Sequence, residues 1–85
     1  MSRSDKLIAR FKTVPADFTW DELASVLGFL GYEKISAGKT SGSRQKFMNE
    51  KKEILSLHKP HPGKIVKKYV IEQLLDSLKD RGIDL

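Results

Sequence analysis

Val70, Ile71, Leu74, Leu75 and Leu78 recur at i, i+1, i+4, i+5 and i+8, and Gly82-Ile83 follows them. This spacing predicts a helix over about residues 68–81 with one apolar side, and the glycine suits the left-handed position just past a helix end. Such a side must be covered. In 85 residues with no cysteine, neither a second large domain nor a disulfide framework is available to cover it, so the rest of one small domain must do so. The missing cysteines also exclude thiolate zinc sites, iron–sulfur clusters and a cysteine nucleophile. No apolar run approaches the length of about 18 residues that spans a bilayer, and Met1–Lys6 lacks the apolar stretch of a signal peptide. A soluble, cytoplasmic domain without membrane contact is expected.

A second helix start is written in Phe18-Thr19-Trp20-Asp21-Glu22-Leu23. Thr19 and Glu22 have capping-box spacing, and Phe18 and Leu23 occupy the staple positions around it. Leu23, Ala24, Val26, Leu27 and Leu30 continue at helical spacing to Gly31, predicting a helix over 20–30. Leu7, Ile8 and Phe11, after Ser4 as a candidate cap, predict a short helix ending before Pro15. From Tyr32 the pattern changes. Residues 32–36, 43–48 and 53–57 read as strands, separated by a small-residue loop at 37–42 and a hairpin turn at 49–52. His58-Lys59-Pro60-His61-Pro62-Gly63 is expected to leave the sheet as an irregular connection, because each proline removes a backbone donor. The order helix, helix, three strands, helix is satisfied by an α+β fold: a three-stranded antiparallel sheet with helices on one face and the other face open.

The net charge of +5 is unevenly distributed. Residues 1–38 are balanced and residues 71–85 are net acidic. Residues 39–70 carry nine basic side chains (Lys39, Arg44, Lys46, Lys51, Lys52, Lys59, Lys64, Lys67 and Lys68) against Glu50 and Glu53 only. Phe47, His58, His61 and Tyr69 are interleaved with them. A solvated lysine-rich face is one reading; a surface for a polyanion such as RNA is the other.

Gly42-Ser43-Arg44-Gln45-Lys46-Phe47, a hairpin, the strand ending at Leu57, a His-Pro-Gly loop and a lysine-rich entry into a helix ending in Arg81-Gly82-Ile83 together resemble the HicA family of toxins from toxin–antitoxin systems. The helix before Gly31-Tyr32 is similar to that family's opening helix. The resemblance covers about residues 18–84, as a domain of residues 18–85, and leaves residues 1–17 as an N-terminal extension with its short helix. It implies a double-stranded-RNA-binding-like fold and a metal-independent endoribonuclease, an mRNA interferase silenced by a HicB-like antitoxin. It further implies a monomer when free and a hetero-oligomer with the antitoxin. The family's usual motif is Gly-Ser-His, with a catalytic histidine. Here Arg44 stands at that position, as in a variant branch with Gly-Ser-Arg.

Metal-free RNA cleavage needs a group to take the ribose 2′-OH proton and another to protonate or stabilise the leaving oxygen. Histidine suits both tasks, since its ordinary pKa of about 6.5 leaves both forms available near neutral pH. His58 and His61 are the candidate bases, with Arg44 as candidate stabiliser of the charged phosphorane. By its spacing to the final helix, His61 lines up with a second histidine carried by many relatives. Each histidine reads equally well as a turn residue. The candidate RNA contacts are Lys39, Ser43, Lys46, Lys51, Lys52, Lys59, Lys64, Lys67 and Lys68. No cofactor is expected, and His-x-x-His without a nearby cysteine or carboxylate lacks the third ligand zinc usually takes. Glu50 and Glu53 balance charge more naturally than they form a catalytic pair. Trp20 and Phe47 read as core, with base stacking as an alternative for Phe47. Two other readings stay open: a catalytically impaired module that binds RNA or the antitoxin, and a domain that binds only protein.

Overall fold

A computed structural model describes residues 3–35, 44–60 and 63–83. Three helices and one sheet follow in the order α1 (Arg3–Lys12), α2 (Trp20–Phe29), β1 (Glu33–Ile35), β2 (Arg44–Met48), β3 (Ile54–His58) and α3 (Lys68–Asp80). The sheet is antiparallel with β2 in the centre. This is the α+β class expected from the sequence. Residues 36–43, which include the expected loop and the first residue of the second expected strand, lie outside the described residues.

Helices α2 and α3 end as their glycines require. At α2, the Gly31 N–H donates to the Gly28 carbonyl and the Tyr32 N–H to the Leu27 carbonyl; at α3, Gly82 donates to Lys79 and Ile83 to Leu78. These are paired Schellman closures, and the glycines adopt φ of +91° and +79°. The first closure delivers Tyr32 into the core, so β1 starts one residue later than expected. At the other end of α2, Thr19 caps the helix. Its Oγ1 accepts from the Glu22 N–H at 3.2 Å, while its own N–H donates to Glu22 Oε1 at 3.0 Å. Phe18 and Leu23, the staple pair, are fully buried.

Ser4 lies inside α1 rather than at its cap, and Asp5 supplies the acidic charge favoured in a first helical turn. Phe11 on α1 is fully buried with its ring 5.6 Å from that of Phe18. Arg10 joins the same seam. Its guanidinium donates to Glu22 Oε2 and to Asp17 Oδ1, both at 2.6 Å, and lies 5.2 Å from the centre of the Phe18 ring. The Thr19 N–H, with a smaller contribution from Arg10, holds the Glu22 carboxyl below the usual carboxylate range, against the opposing effect of partial burial. An unfolded glutamate titrates near pH 4.3. The stabilisation linked to Glu22 is therefore complete above that value and disappears as pH falls through the lower folded one. Glu22→Gln is expected to melt below the wild type at neutral pH, with the gap closing on acidification from about pH 5 to pH 2. Thermal melts across that range check it, and a constant gap contradicts it.

The core is continuous from all three helices to the sheet: Phe11, Leu23 and Leu27 meet Ile71, Leu74 and Leu78, together with Phe47 of β2 and Leu55 of β3. Trp20 is 7% exposed and packs at 6.0 Å from the Phe47 ring. Phe47 thus belongs to the covered face, which removes it as a base-stacking residue. The β2–β3 turn is organised by Asn49. Its Oδ1 accepts from the N–H groups of Lys51 and Glu53, and its side-chain amide donates to Glu53 Oε1 at 2.8 Å. Glu53 is therefore a turn residue, and β3 begins one position later than the spacing suggested. Among the described residues no helix is long and apolar enough to cross a membrane.

Candidate RNA-binding face

Alternation along the sheet decides which side chains the helices leave uncovered. On β3, Leu55 is buried and Leu57 half-buried, whereas Ile54, Ser56 and His58 are exposed. The register pairs these exposed positions with Met48, Lys46 and Arg44 of β2. Lys46 is also opposite Ile35 of β1. The open face thus presents the rows Arg44–His58, Lys46–Ser56 and Met48–Ile54.

His58 corrects one expectation. It closes β3 as a paired strand residue and does not belong to the irregular connection. The prolines begin to act only at Pro60, and β3 is an edge strand, so a chain leaving the sheet there breaks no central ladder. The result is a direct cross-strand pairing of Arg44 with His58. Residues opposite one another in an antiparallel pair have Cβ atoms about 4.5–5.5 Å apart. The position that carries histidine in the usual motif of the resembled family is therefore the direct neighbour of this chain's His58.

Beyond Pro60 the chain returns to a fixed place. The Trp20 N–H donates to the Lys64 carbonyl and the Val66 N–H to the Phe18 carbonyl, both at 2.8 Å, with a bridge between Thr19 and Ile65. Val66 is buried beneath this ribbon. The clamp fixes the start of α3, so Lys67 and Tyr69 line one groove together with His58. Lys59, Lys64, Lys67 and Lys68 are all exposed on this stretch. Lys51 and Lys52 occupy the opposite end of the hairpin, about 13 Å along the strands from the Arg44–His58 row at about 3.3 Å per residue. There they share a groove with Glu33, Glu50 and Glu53, which offset their charge. Lys46 stands between the two ends on β2.

Lys39, Ser43 and His61 lie outside the described residues, as does the side chain of Arg44. Of the expected catalytic and binding residues, the structure brings Lys67 into one groove with His58 and pairs the backbone position of Arg44 with it, while Lys59 and Lys68 are exposed at the adjoining chain positions. Tyr69 joins this set. The sequence had marked it as an aromatic among the lysines, but the α3 stripe alone does not reveal its position beside His58. Among the described residues no group of three or more His, Asp or Glu side chains gathers as metal ligands would.

A family model described as the HicA toxin of bacterial toxin–antitoxin systems matches residues 20–83. The match includes α2, the whole sheet and α3, and leaves α1 outside. Neither a curated protein nor a solved structure matches the chain.

Proposed function

Because the chain belongs to the HicA toxin family of bacterial toxin–antitoxin systems, we propose that it binds RNA on the open sheet face and cleaves mRNA there without a metal ion. The observation that carries this reading is the exposed His58 paired with Arg44 at the lysine-rich end of the sheet. In the proposed reaction, His58 takes the proton of a ribose 2′-OH as that oxygen attacks the adjacent phosphorus. Arg44 and the neighbouring lysines stabilise the added negative charge on the phosphorane. The bond from phosphorus to the 5′ oxygen then breaks, leaving a 2′,3′-cyclic phosphate on one product. The departing oxygen takes a proton from a second donor, for which His61 is the candidate. Cleavage of mRNA places the activity in the cytoplasm, and the silencing partner is a HicB-like antitoxin presenting acidic residues to the same face.

Arg44 supports a second reading. Where the family's usual motif has its catalytic histidine, this chain has a residue that does not exchange protons near neutral pH. In that case the protein is an impaired nuclease that still holds RNA or its antitoxin. RNA binding tests the feature common to both readings. The logarithm of the binding constant for single strands falls linearly with the logarithm of salt, with a slope of about −0.7 per neutralised phosphate. Replacing Lys67 and Lys68 with glutamine is expected to reduce the slope by about 1.4, as measured by fluorescence anisotropy over a salt series. An unchanged slope contradicts their assignment, and no RNA affinity even at low salt contradicts both readings and favours a domain that binds only protein.

A further inference from the structure

We infer that Tyr69 is a stacking platform for an unpaired RNA base next to the reacting phosphate. This rests on the proposed RNA-binding reading and deepens it by assigning recognition to a residue outside the charged set. Tyr69 is 57% exposed, the largest value among the exposed large apolar and aromatic side chains of the described residues. It occupies the first turn of α3, directly after Lys67 and Lys68. Two grooves meet at it. One, of about 330 Å³, runs between the outer edge of β3 and α3, past Ser56, His58, Gln73 and Arg81. The other, of about 280 Å³, lies under Pro60, Ile65 and Lys67. Both contain His58 as well as Tyr69, so the ring and the proposed base form two parts of one wall.

The lining of these grooves favours a nucleotide as the occupant. Neither contains a carboxylate, and their charged residues are Arg81 in one and Lys67 in the other. Two further grooves mix both signs of charge: one sets Glu33, Glu50 and Glu53 beside Lys51, Lys52 and Arg81, and another sets Asp21 and Glu22 beside Arg3, Lys6 and Arg10. A polyanion following the basic surface therefore meets no carboxylate in either groove beside Tyr69, whereas the other two grooves each place carboxylates against it. An exposed phenol ring beside a cationic track is the combination by which single strands are held, with the lysines on phosphates and the ring on a base. Glu72, one turn further along α3, lines neither groove.

The test uses a fluorescent single-stranded RNA carrying 2′-O-methyl groups throughout, so that cleavage cannot occur, and a matching strand of abasic nucleotides. Tyr69→Ala is expected to weaken binding of the first by roughly five- to a hundredfold, and Tyr69→Phe to remain within about twofold of the wild type. On the abasic strand, wild type and Tyr69→Ala should bind alike. In the unaltered protein, a 5-bromouridine-substituted strand should photocross-link to Tyr69, a readout independent of how well the alanine variant folds. Equal affinity of Tyr69→Ala and wild type for the first strand overturns the inference and leaves RNA binding intact. So does a cross-link confined to other residues, or an equal loss in the alanine and phenylalanine variants. Unchanged RNA affinity with weakened binding of an acidic protein partner assigns Tyr69 to a protein interface and also overturns it. No binding of either strand by the wild type removes the RNA reading itself, and the inference with it.

Discussion

His58→Ala is expected to slow RNA cleavage by about 10²–10⁴-fold while leaving RNA affinity and thermal stability near wild-type values. The size is that of removing a positioned general base. The selectivity follows from position: His58 is exposed at the end of an edge strand, outside the buried core, and the proposed phosphate contacts are spread over several lysines. A strand-end alanine keeps the backbone pairing with Arg44, because the ladder depends on main-chain groups. Single-turnover cleavage of a defined transcript, measured beside anisotropy binding and a thermal melt, separates these effects. A rate within about tenfold of the wild type would remove His58 as the base. Loss of rate and affinity together would make it a binding residue.

Phe11→Ala carries the largest expected effect on stability, about 3–5 kcal/mol. Phe11 lies on α1, outside the span matched by the family, yet it is fully buried against Phe18 and belongs to the same core as the sheet residues Phe47 and Leu55. Removing the ring opens a cavity where α1 meets the start of α2, and the backbone clamp from Phe18 and Trp20 to Lys64 and Val66 begins there. Domains of this size have total stabilities of about 5–15 kcal/mol. The variant should therefore melt roughly 12 °C or more below the wild type. A shift of only a few degrees would mean that α1 is dispensable to the core. A reduced affinity for RNA at temperatures where the variant remains folded would show the clamp's role in positioning α3.

The parts of this fold that were legible in the sequence are those where a local pattern has one physical solution. Thr19 and Glu22 are spaced to satisfy each other's backbone groups, and Gly31 and Gly82 stand where only a left-handed residue closes the helix. The five-residue stripe ending at Leu78 needs an apolar surface opposite it. Strand ends were less legible because they depend on pairing. Glu53 is drawn into the turn by Asn49, and His58 pairs with Arg44 across a hairpin whose register no single strand specifies. The prolines pointed to the end of the sheet but not to the residue at which it ends. The candidate site was legible as a charge imbalance and a short motif. Its division into two ends was not, because Lys51 and Lys52 lie on the same hairpin as Arg44 yet are separated from it by the length of β2. The place of Tyr69 beside His58 depends on the ribbon that joins Lys64 and Val66 to the start of α2, a long-range contact with no local sequence signal.

Metal-free cleavage of RNA at the Arg44–His58 end of the sheet, as proposed, is tested most directly by incubating purified protein with mRNA in EDTA. Fragments are expected to accumulate at micromolar protein, to carry 2′,3′-cyclic phosphate ends, and to be lost with His58→Ala. RNA that is bound but stays intact under these conditions would contradict the nuclease and leave the chain as a binding module of its family.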